Sequence, residues 1–334
     1  MQQENNFDLM EENEVSAKSN GGTERIKRQL YNGEIPRELL EKFQIVFSRE
    51  RELKPDKYRL FYAHDTDGDP EAINALGNGG WQKYHKIIFV SNWQQQRYIE
   101  RFNIPWSRTI VMQNFIVPIY NHDEKPEKEK DTIRLIYHST PQRGLGILAM
   151  VFNELAKKYD NIELDVFSSF NIYGWDDPKE LEGLFNFLRN HPKINYHGAV
   201  DNSVIRDTLK KAHIFAYPSI WPETSCICLM EAMSAGLLCV HPNYGALYET
   251  ASNWSYMYNW HESEQTHAEI FYANLEQAIL QINAEPTKVR VDMQKTYTDV
   301  FYNWTLRREQ WIGLLTAIAS GPLEIENPDD FLYL

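Results

Sequence analysis

Cysteine is scarce, and the three that occur, Cys226, Cys228 and Cys239, fall within one apolar stretch of the 334-residue chain. Three clustered thiols exclude a disulfide-stapled scaffold and a four-ligand zinc site, and they are expected to be reduced and buried as small hydrophobes. Positive charge is also in deficit: 34 lysines and arginines stand against 47 aspartates and glutamates, a net charge of -13. That balance offers no general attraction for nucleic-acid phosphates or anionic lipid, so an anionic substrate has to be held by a local positive site. No apolar run reaches the roughly 18 residues of a membrane span, and Met1-Gln2-Gln3-Glu4-Asn5-Asn6 lacks the charged-then-apolar order of a secretion signal. A soluble, cytoplasmic protein is expected. The sequons at Asn253 and Asn303 then carry no weight, and neither a short-period repeat nor a low-complexity tract is visible.

Hydrophobic residues at 43%, aromatics at 13% and charged residues at 24% are the composition of a packed globular chain long enough for two domains. A division near residue 125 is expected, because Glu124-Lys125-Pro126-Glu127-Lys128-Glu129-Lys130 is charged and free of aliphatic residues. On both sides short apolar runs alternate with helical patterns. Gln44–Phe47, Arg59–Tyr62, Ile87–Val90 and Thr109–Met112 read as strands, with a helix from Asn92 to about Phe102. Beyond the division, Ile133–Tyr137, Ile162–Phe167, Ile194–Tyr196, Ile214–Tyr217 and Leu238–Val240 read as strands, and Leu148, Val151, Phe152, Leu155 and Tyr159 mark a helix face. Two successive α/β domains, each a parallel sheet covered by helices, are the economical architecture.

The segment Tyr217-Pro218-Ser219-Ile220-Trp221-Pro222-Glu223-Thr224-Ser225-Cys226-Ile227-Cys228-Leu229-Met230-Glu231 carries the chemistry. A strand ends at Tyr217, a loop presents Glu223, and Thr224 or Ser225 is placed to cap a helix that stops at Gly236. The start of such a helix is an anion site, with backbone amides at Thr224 to Ile227 and a positive dipole end. Glu231 follows Glu223 by eight residues, about 12 Å if helical, which suits one carboxylate at each end of a diphosphate ligand. The blander expectation makes Glu223 a helix-start acid and Glu231 a solvated helix residue.

With these residues the chain resembles the family 4 glycosyltransferases, retaining enzymes of the GT-B fold, whose hallmark is E-x7-E in a strand-loop-helix setting. Tyr196-His197-Gly198-Ala199-Val200 resembles the family's loop near the nucleotide base, Ala216-Tyr217-Pro218-Ser219 its strand end, and Pro242–Glu249 its next glycine-containing turn. In the first half Gly21-Gly22-Thr23-Glu24 is similar to its glycine-rich loop, His64-Asp65 to its histidine near the reacting centre, and Phe89-Val90-Ser91 to a strand-end motif. Phe301 to Leu315 resembles the terminal helix that crosses back to the first domain. The resemblance runs from about Gly21 to Leu315, in the family's order.

It implies two Rossmann-like domains facing across a cleft: an acceptor-side domain at 1–125, a nucleotide-sugar domain at 126–300, and a terminal helix and tail at 301–334. It implies His64 and Glu223 as catalytic, and Gly21, Gly22, His138, Arg143, Gly198, Val200, Thr224, Ser225, Cys226, Ile227 and Glu231 as donor-binding, with Glu223 by the donor sugar and Glu231 by the ribose. Three positions depart from the pattern. His138 stands where the family has an arginine, leaving Arg143-Gly144 as the main positive contact to the diphosphate. Cys226 replaces a glycine, and Asn114-Phe115 an asparagine-glycine. The opening strand is reduced to Phe7-Asp8-Leu9-Met10 followed by acidic residues.

Rival patterns fare less well. Asp65-Thr66-Asp67-Gly68-Asp69 contains the D-x-D of the metal-dependent GT-A enzymes, but that reading leaves the second half unexplained, and a calcium loop fails because Pro70 takes the glycine place and Leu76 the glutamate place. These acids are expected to form a solvated loop. Gly144-Leu145-Gly146-Ile147-Leu148-Ala149 with Asp165 outlines a dinucleotide site, yet six residues separate Tyr137 from Gly144, too many for the tight turn. Arg25, Lys27, Arg28, Arg37 and Lys42, and the cluster Trp93, Arg97, Tyr98, Arg101 and Trp106, sketch a membrane-facing surface, with an ordinary charged helix face preferred.

The expected function is transfer of a sugar from a nucleoside-diphosphate donor to an unidentified acceptor, glycan, lipid-linked or nucleic-acid-borne, with no metal and no cofactor. The alternative is a GT-B protein that binds nucleotide sugar or glycan without turnover.

Overall fold

Two parallel sheets organise the chain in the computed structural model, which describes residues 5–10 and 19–325. Residues 1–4, the acidic stretch after Met10 and the tail beyond residue 325 lie outside the described residues. The described residues group into two units, one reaching Phe115 and resuming at Trp304, the other spanning Ile116–Asn303.

The first unit holds β1 (Phe43–Phe47), β2 (Tyr58–Ala63), β3 (Lys86–Phe89) and β4 (Thr109–Val111), paired in that order. Val46 faces Phe61, Phe61 faces Ile87 and Ile88 faces Ile110, a register that aligns the apolar runs of strands covered on both faces. The helix Asn92–Phe102 opens at Ser91, whose hydroxyl accepts from the Gln94 amide, and closes at left-handed Asn103. The helix Trp304–Ala319 packs within this unit: Trp311 meets Tyr62 edge-on at 5.2 Å, and the Trp304 indole donates to Glu34 at 2.8 Å.

Several expectations change here. Phe7–Leu9 is a 3-10 turn, not a strand, and among the described residues no strand precedes the glycine pair. The helical stretch from Phe301 is broken at Tyr302-Asn303, so Glu285–Phe301 belongs to the second unit and Trp304–Ala319 to the first. Residues 116–125, grouped from sequence with the first domain, lie in the second unit. The Ile116 amide donates to the Tyr302 carbonyl at 2.8 Å, Lys295 Nζ to the Tyr120 carbonyl at 2.9 Å, and Lys128 Nζ to the Gly236 carbonyl at 2.9 Å. The charged connector therefore lies along its own unit.

The loop after β2 is not simply solvated. Asp67 is buried between Arg97 and Arg101, at 3.2 and 3.5 Å, and Asp69 caps the helix Pro70–Leu76 through the Glu71 amide. Of the aromatic-basic cluster, Tyr98 is core, Arg97 and Arg101 pair with Asp67 while half exposed, and Trp106 is exposed. Of the other cations, Lys27 is buried over the Phe47 ring, and Arg37 is paired with Asp8 and Glu41. Among the described residues no helix is long and apolar enough to cross a membrane.

The second unit contains β5 (Ile133–His138), β6 (Ile162–Phe167), β7 (Ile194–Tyr196), β8 (Ile214–Ala216), β9 (Leu238–Pro242) and β10 (Tyr256–Tyr258), in the order β10-β9-β8-β5-β6-β7. The chain winds outward from β5 through β6 to β7, returns to β8 on the other side, and winds outward again. The order reverses between β5 and β8, and the loops leaving the carboxyl ends of such a pair open a crevice.

A gapless correspondence links the two units. Lys83–Trp93 aligns with Lys211–Trp221, with lysine, histidine, serine and tryptophan repeated at Lys83/Lys211, His85/His213, Ser91/Ser219 and Trp93/Trp221. His85 Nδ1 accepts from the Arg59 amide at 3.0 Å, and the His85 amide donates to the Arg59 carbonyl at 2.8 Å. His213 does the same with Arg134, at 3.0 and 2.7 Å. Burial lowers the basicity of both rings, and each Nε2–H donates to a carbonyl, Leu323 in one and Glu129 in the other.

Candidate functional site

The strand order explains why residues far apart in sequence meet. β5 ends at His138 and its loop carries Arg143; the neighbouring β8 ends at Ala216 and its loop carries Glu223. Arg143 Nη1 donates to both Glu223 carboxylate oxygens at 2.5 Å, and the Tyr217 hydroxyl donates to one of them at 2.6 Å. Glu223 is 3% exposed, so its charge is compensated by these two groups. Burial opposes the Arg143 charge, and the Glu223 carboxylate outweighs that, keeping the guanidinium protonated.

Two glycines let the Glu223 loop sit so close. Gly144 has φ +97°, and a Cβ there would lie 2.0 Å from the Pro218 carbonyl oxygen. Gly245 has φ +62°, and a Cβ there would lie 2.5 Å from both the nitrogen and oxygen of Glu223. Glu223 bridges Gly245, and the Ala246 amide donates to the Glu223 carbonyl at 2.7 Å. Only a residue without a side chain fits either place.

The helix after Glu223 begins later than the capping residues suggested. It spans Ile227–Ser234, with Cys226 at the N-cap and no side-chain cap bond, so Thr224 and Ser225 lie in the preceding loop. The first-turn amides of the helix therefore begin at Ile227, and those of Thr224 and Ser225 belong to the loop before it. Gly236, at φ +63°, ends the helix as expected. Burial, contact with Cys228 and the nearby Glu223 carboxylate hold the Cys226 thiol protonated. The loops that carry Arg143 and Glu223 hold buried polar atoms without a partner among the described residues, the Arg143 Nε–H and the Ser225 hydroxyl among them, with the Thr140 hydroxyl and Gln142 Oε1 on the Arg143 loop.

Glu231 is buried, not solvated, at 1% exposure; His138 Nδ1 lies 3.9 Å from its carboxylate, and both side chains are 2% exposed. Cys228 Sγ donates to the His138 carbonyl at 2.8 Å, tying the end of β5 to the helix. His138, Arg143, Glu223, Thr224, Ser225, Cys226, Ile227 and Glu231 thus gather around the ends of β5 and β8. Gly198, at φ +66°, and Val200 follow β7, two strands away. Beside them His197 stacks on Phe167 at 4.3 Å and its Nε2 lies 2.9 Å from Asp165. Asp165, the acid of the dinucleotide outline, is therefore held by a histidine. Gly146, the second glycine of that outline, has open space where a Cβ would stand, so no close approach calls for glycine there.

Gly21, Gly22 and His64 belong to the first unit. Gly21 is the N-cap of the helix Gly22–Leu30. His64 directly follows β2; its amide donates to the Ser48 hydroxyl at 2.8 Å, and its ring lies between Phe47 and Tyr62, at 5.7 and 4.3 Å. Burial, with Arg49 nearby, lowers its pKa to about 3, so the ring is neutral at ordinary pH.

The sequence places Tyr217 in a strand end and Gly245 in a glycine-containing turn, without assigning either a part in holding Glu223. A buried tyrosine hydroxyl at a strand end has to find an acceptor, and Glu223 six residues on is the nearest acid, a signal that was available.

Residues 120–280 match the family described as glycosyl transferases group 1. A phosphatidylinositol N-acetylglucosaminyltransferase component from Arabidopsis thaliana is 30% identical over 168 residues, 49% of this chain and 36% of that protein. The chain spans about a third of the length of the curated relatives it matches. Among solved structures, a glycosyltransferase from Rickettsia africae ESF-5 superposes with a TM-score of 0.65 at 16% identity, covering 84% of this chain and 78% of that one. Anabaena Alr3699/HepE in complex with UDP and glucose superposes with a TM-score of 0.59 at 15% identity, covering 78% and 72%. Residues 120–280, just under half of the chain, are thus similar to the glycosyl transferases group 1, and the fold is GT-B.

Proposed function

We propose that the protein is a retaining, metal-independent glycosyltransferase that takes a sugar from a nucleoside-diphosphate donor. The observation that carries this reading is the Arg143 Nε–H and the Ser225 hydroxyl, buried donors without a partner among the described residues, on the loop after β5 and on the loop that leads into the helix Ile227–Ser234. Buried donors without acceptors are rare, and a ligand rich in acceptor oxygens satisfies them together with the first-turn amides. A diphosphate is such a ligand, and it is the group that gathers charge as the sugar departs.

Arg143 has five N–H donors in a rigid fork and uses Nη1 on Glu223, so the same guanidinium can hold the carboxylate and a phosphate oxygen at once. Glu223 is thereby fixed for a hydroxyl of the donor sugar. Glu231 faces the ribose hydroxyls, with His138 beside it in place of the usual arginine. His64, neutral, offers a hydrogen bond to the sugar without adding charge. The retaining course and these carboxylate roles follow from the resemblance of the Glu223–Glu231 spacing to the family 4 hallmark. The acceptor is not specified by these groups.

The test is a melting-temperature screen of the full chain against UDP, GDP and ADP and their sugars, followed by transfer and hydrolysis assays with EDTA present. A ligand at 100 times its dissociation constant adds about 2.7 kcal/mol to stability. Stabilisation by one nucleoside diphosphate and turnover of its sugar in EDTA are expected. No stabilisation by any of them would overturn the reading, and binding without turnover would favour the non-catalytic alternative.

A further inference from the structure

The loops that flank Glu223 carry aromatic rings that the core does not use. Trp221, two residues before it, is 42% exposed, yet its backbone is fixed: the Trp221 amide donates to the Ser219 hydroxyl at 3.2 Å, and that hydroxyl donates to the Trp221 carbonyl at 3.1 Å. Ser219 itself is fully buried, so the loop is held while the indole faces solvent. On the other flank, Tyr244 and Trp260 stack face to face, with ring centroids 4.2 Å apart and planes 7° from parallel. Two exposed amides fix that pair: Asn243 Nδ2 donates to Asn259 Oδ1 at 3.0 Å, and the Trp260 amide donates to Asn243 Oδ1 at 2.8 Å. The backbone bridge between Gly245 and Glu223 brings the Tyr244 loop beside the loop that carries Trp221. The indole N–H of Trp260 is buried without a partner among the described residues.

We propose that Trp221 and the Tyr244–Trp260 stack form a subsite for a saccharide, seating a pyranose ring of the acceptor. That the saccharide is an acceptor rests on the glycosyltransferase reading; that it is a saccharide rests on geometry. A pyranose has a flat C–H face and a rim of hydroxyls. Flat rings beside exposed side-chain amides match both halves of that surface: the rings take the apolar face, and Asn243 and Asn259 take hydroxyls.

The experiment titrates the full chain with methyl glycosides of glucose, galactose, mannose and N-acetylglucosamine, reading indole fluorescence and saturation-transfer NMR. At least one glycoside binds the unmodified protein. Tyr244→Ala weakens that binding about tenfold or more, whereas Tyr244→Phe, which keeps the ring, leaves it within about twofold. Trp221→Ala, at an exposed site, gives the same loss should Tyr244→Ala not fold. Failure of every glycoside to bind, or equal binding by the alanine variants, would overturn the subsite. Nucleoside-diphosphate binding is measured on the same preparation. Its absence sinks the glycosyltransferase reading, and its presence without glycoside binding sinks the subsite alone.

Discussion

Arg143 and Glu223 form a buried ion pair in which one guanidinium nitrogen lies 2.5 Å from both carboxylate oxygens. Each is thus the other's support, whatever ligand arrives. Arg143→Ala leaves a carboxylate that is 4% exposed facing only the Tyr217 hydroxyl, and is expected to destabilise the fold by about 3 kcal/mol besides weakening nucleoside-diphosphate binding. The double variant with Glu223→Gln should recover about 1 to 2 kcal/mol of that stability without recovering binding. Denaturant unfolding and calorimetry on the four proteins check it. A simple sum of the two losses in stability would show that the pair is not coupled.

Glu223 and Glu231 should separate kinetically. Glu223→Gln is expected to lower turnover by about a hundredfold with little change in nucleoside-diphosphate affinity. Glu231→Ala should weaken that affinity by about tenfold and lower turnover less. Intact affinity in Glu231→Ala would remove it from the ribose.

His64 gives a pH signature. Its folded pKa, about 3, lies below the ordinary histidine value of about 6.5, so between those limits the unfolded chain binds a proton that the folded chain refuses. Stability therefore rises with pH through that window, at up to about 1.4 kcal/mol per unit from this group, and levels off above it. His64→Gln, which does not titrate, should flatten the curve below about pH 6.5 relative to the unmodified protein. Denaturant midpoints from pH 4 to 8 supply the comparison, and parallel curves would place the ring outside the buried setting described. If the ring touches the sugar, the same variant also lowers turnover while nucleoside-diphosphate affinity holds.

Gly144 and Gly146 are two residues apart and should respond oppositely to alanine. Gly144→Ala meets both a left-handed backbone and the Pro218 carbonyl, so a loss of more than about 2 kcal/mol and a drop in activity are expected. Gly146→Ala enters open space within the helix Leu145–Lys158 and should stabilise by about 0.5 to 1 kcal/mol. Melting temperatures decide it. Equal behaviour would mean that the loop tolerates displacement.

Strands buried along their whole length were legible as apolar runs: Ile214–Ala216 and Leu238–Pro242 fall within two residues of where the sequence places them. β10 was not legible, since Tyr256 and Met257 are only partly buried and the run is three residues long. The contact between Arg143 and Glu223 was out of reach for a different reason. Eighty residues separate them, and their meeting depends on β5 lying beside β8, an adjacency that no local pattern encodes. Burial of Glu231 was hidden likewise, because helical spacing does not tell which face the rest of the chain will cover.

Lys83–Trp93 and Lys211–Trp221 share one strand-end pattern, and the two segments part in structure just after the repeated serine. In the first segment Ser91 starts a helix at once, its hydroxyl accepting from the Gln94 amide. In the second, Ser219 instead pins Trp221, and the next helix waits until Ile227. The delay creates the loop that bears Glu223, so one strand-end pattern leads straight into a helix in the first unit and into the Glu223 loop in the second.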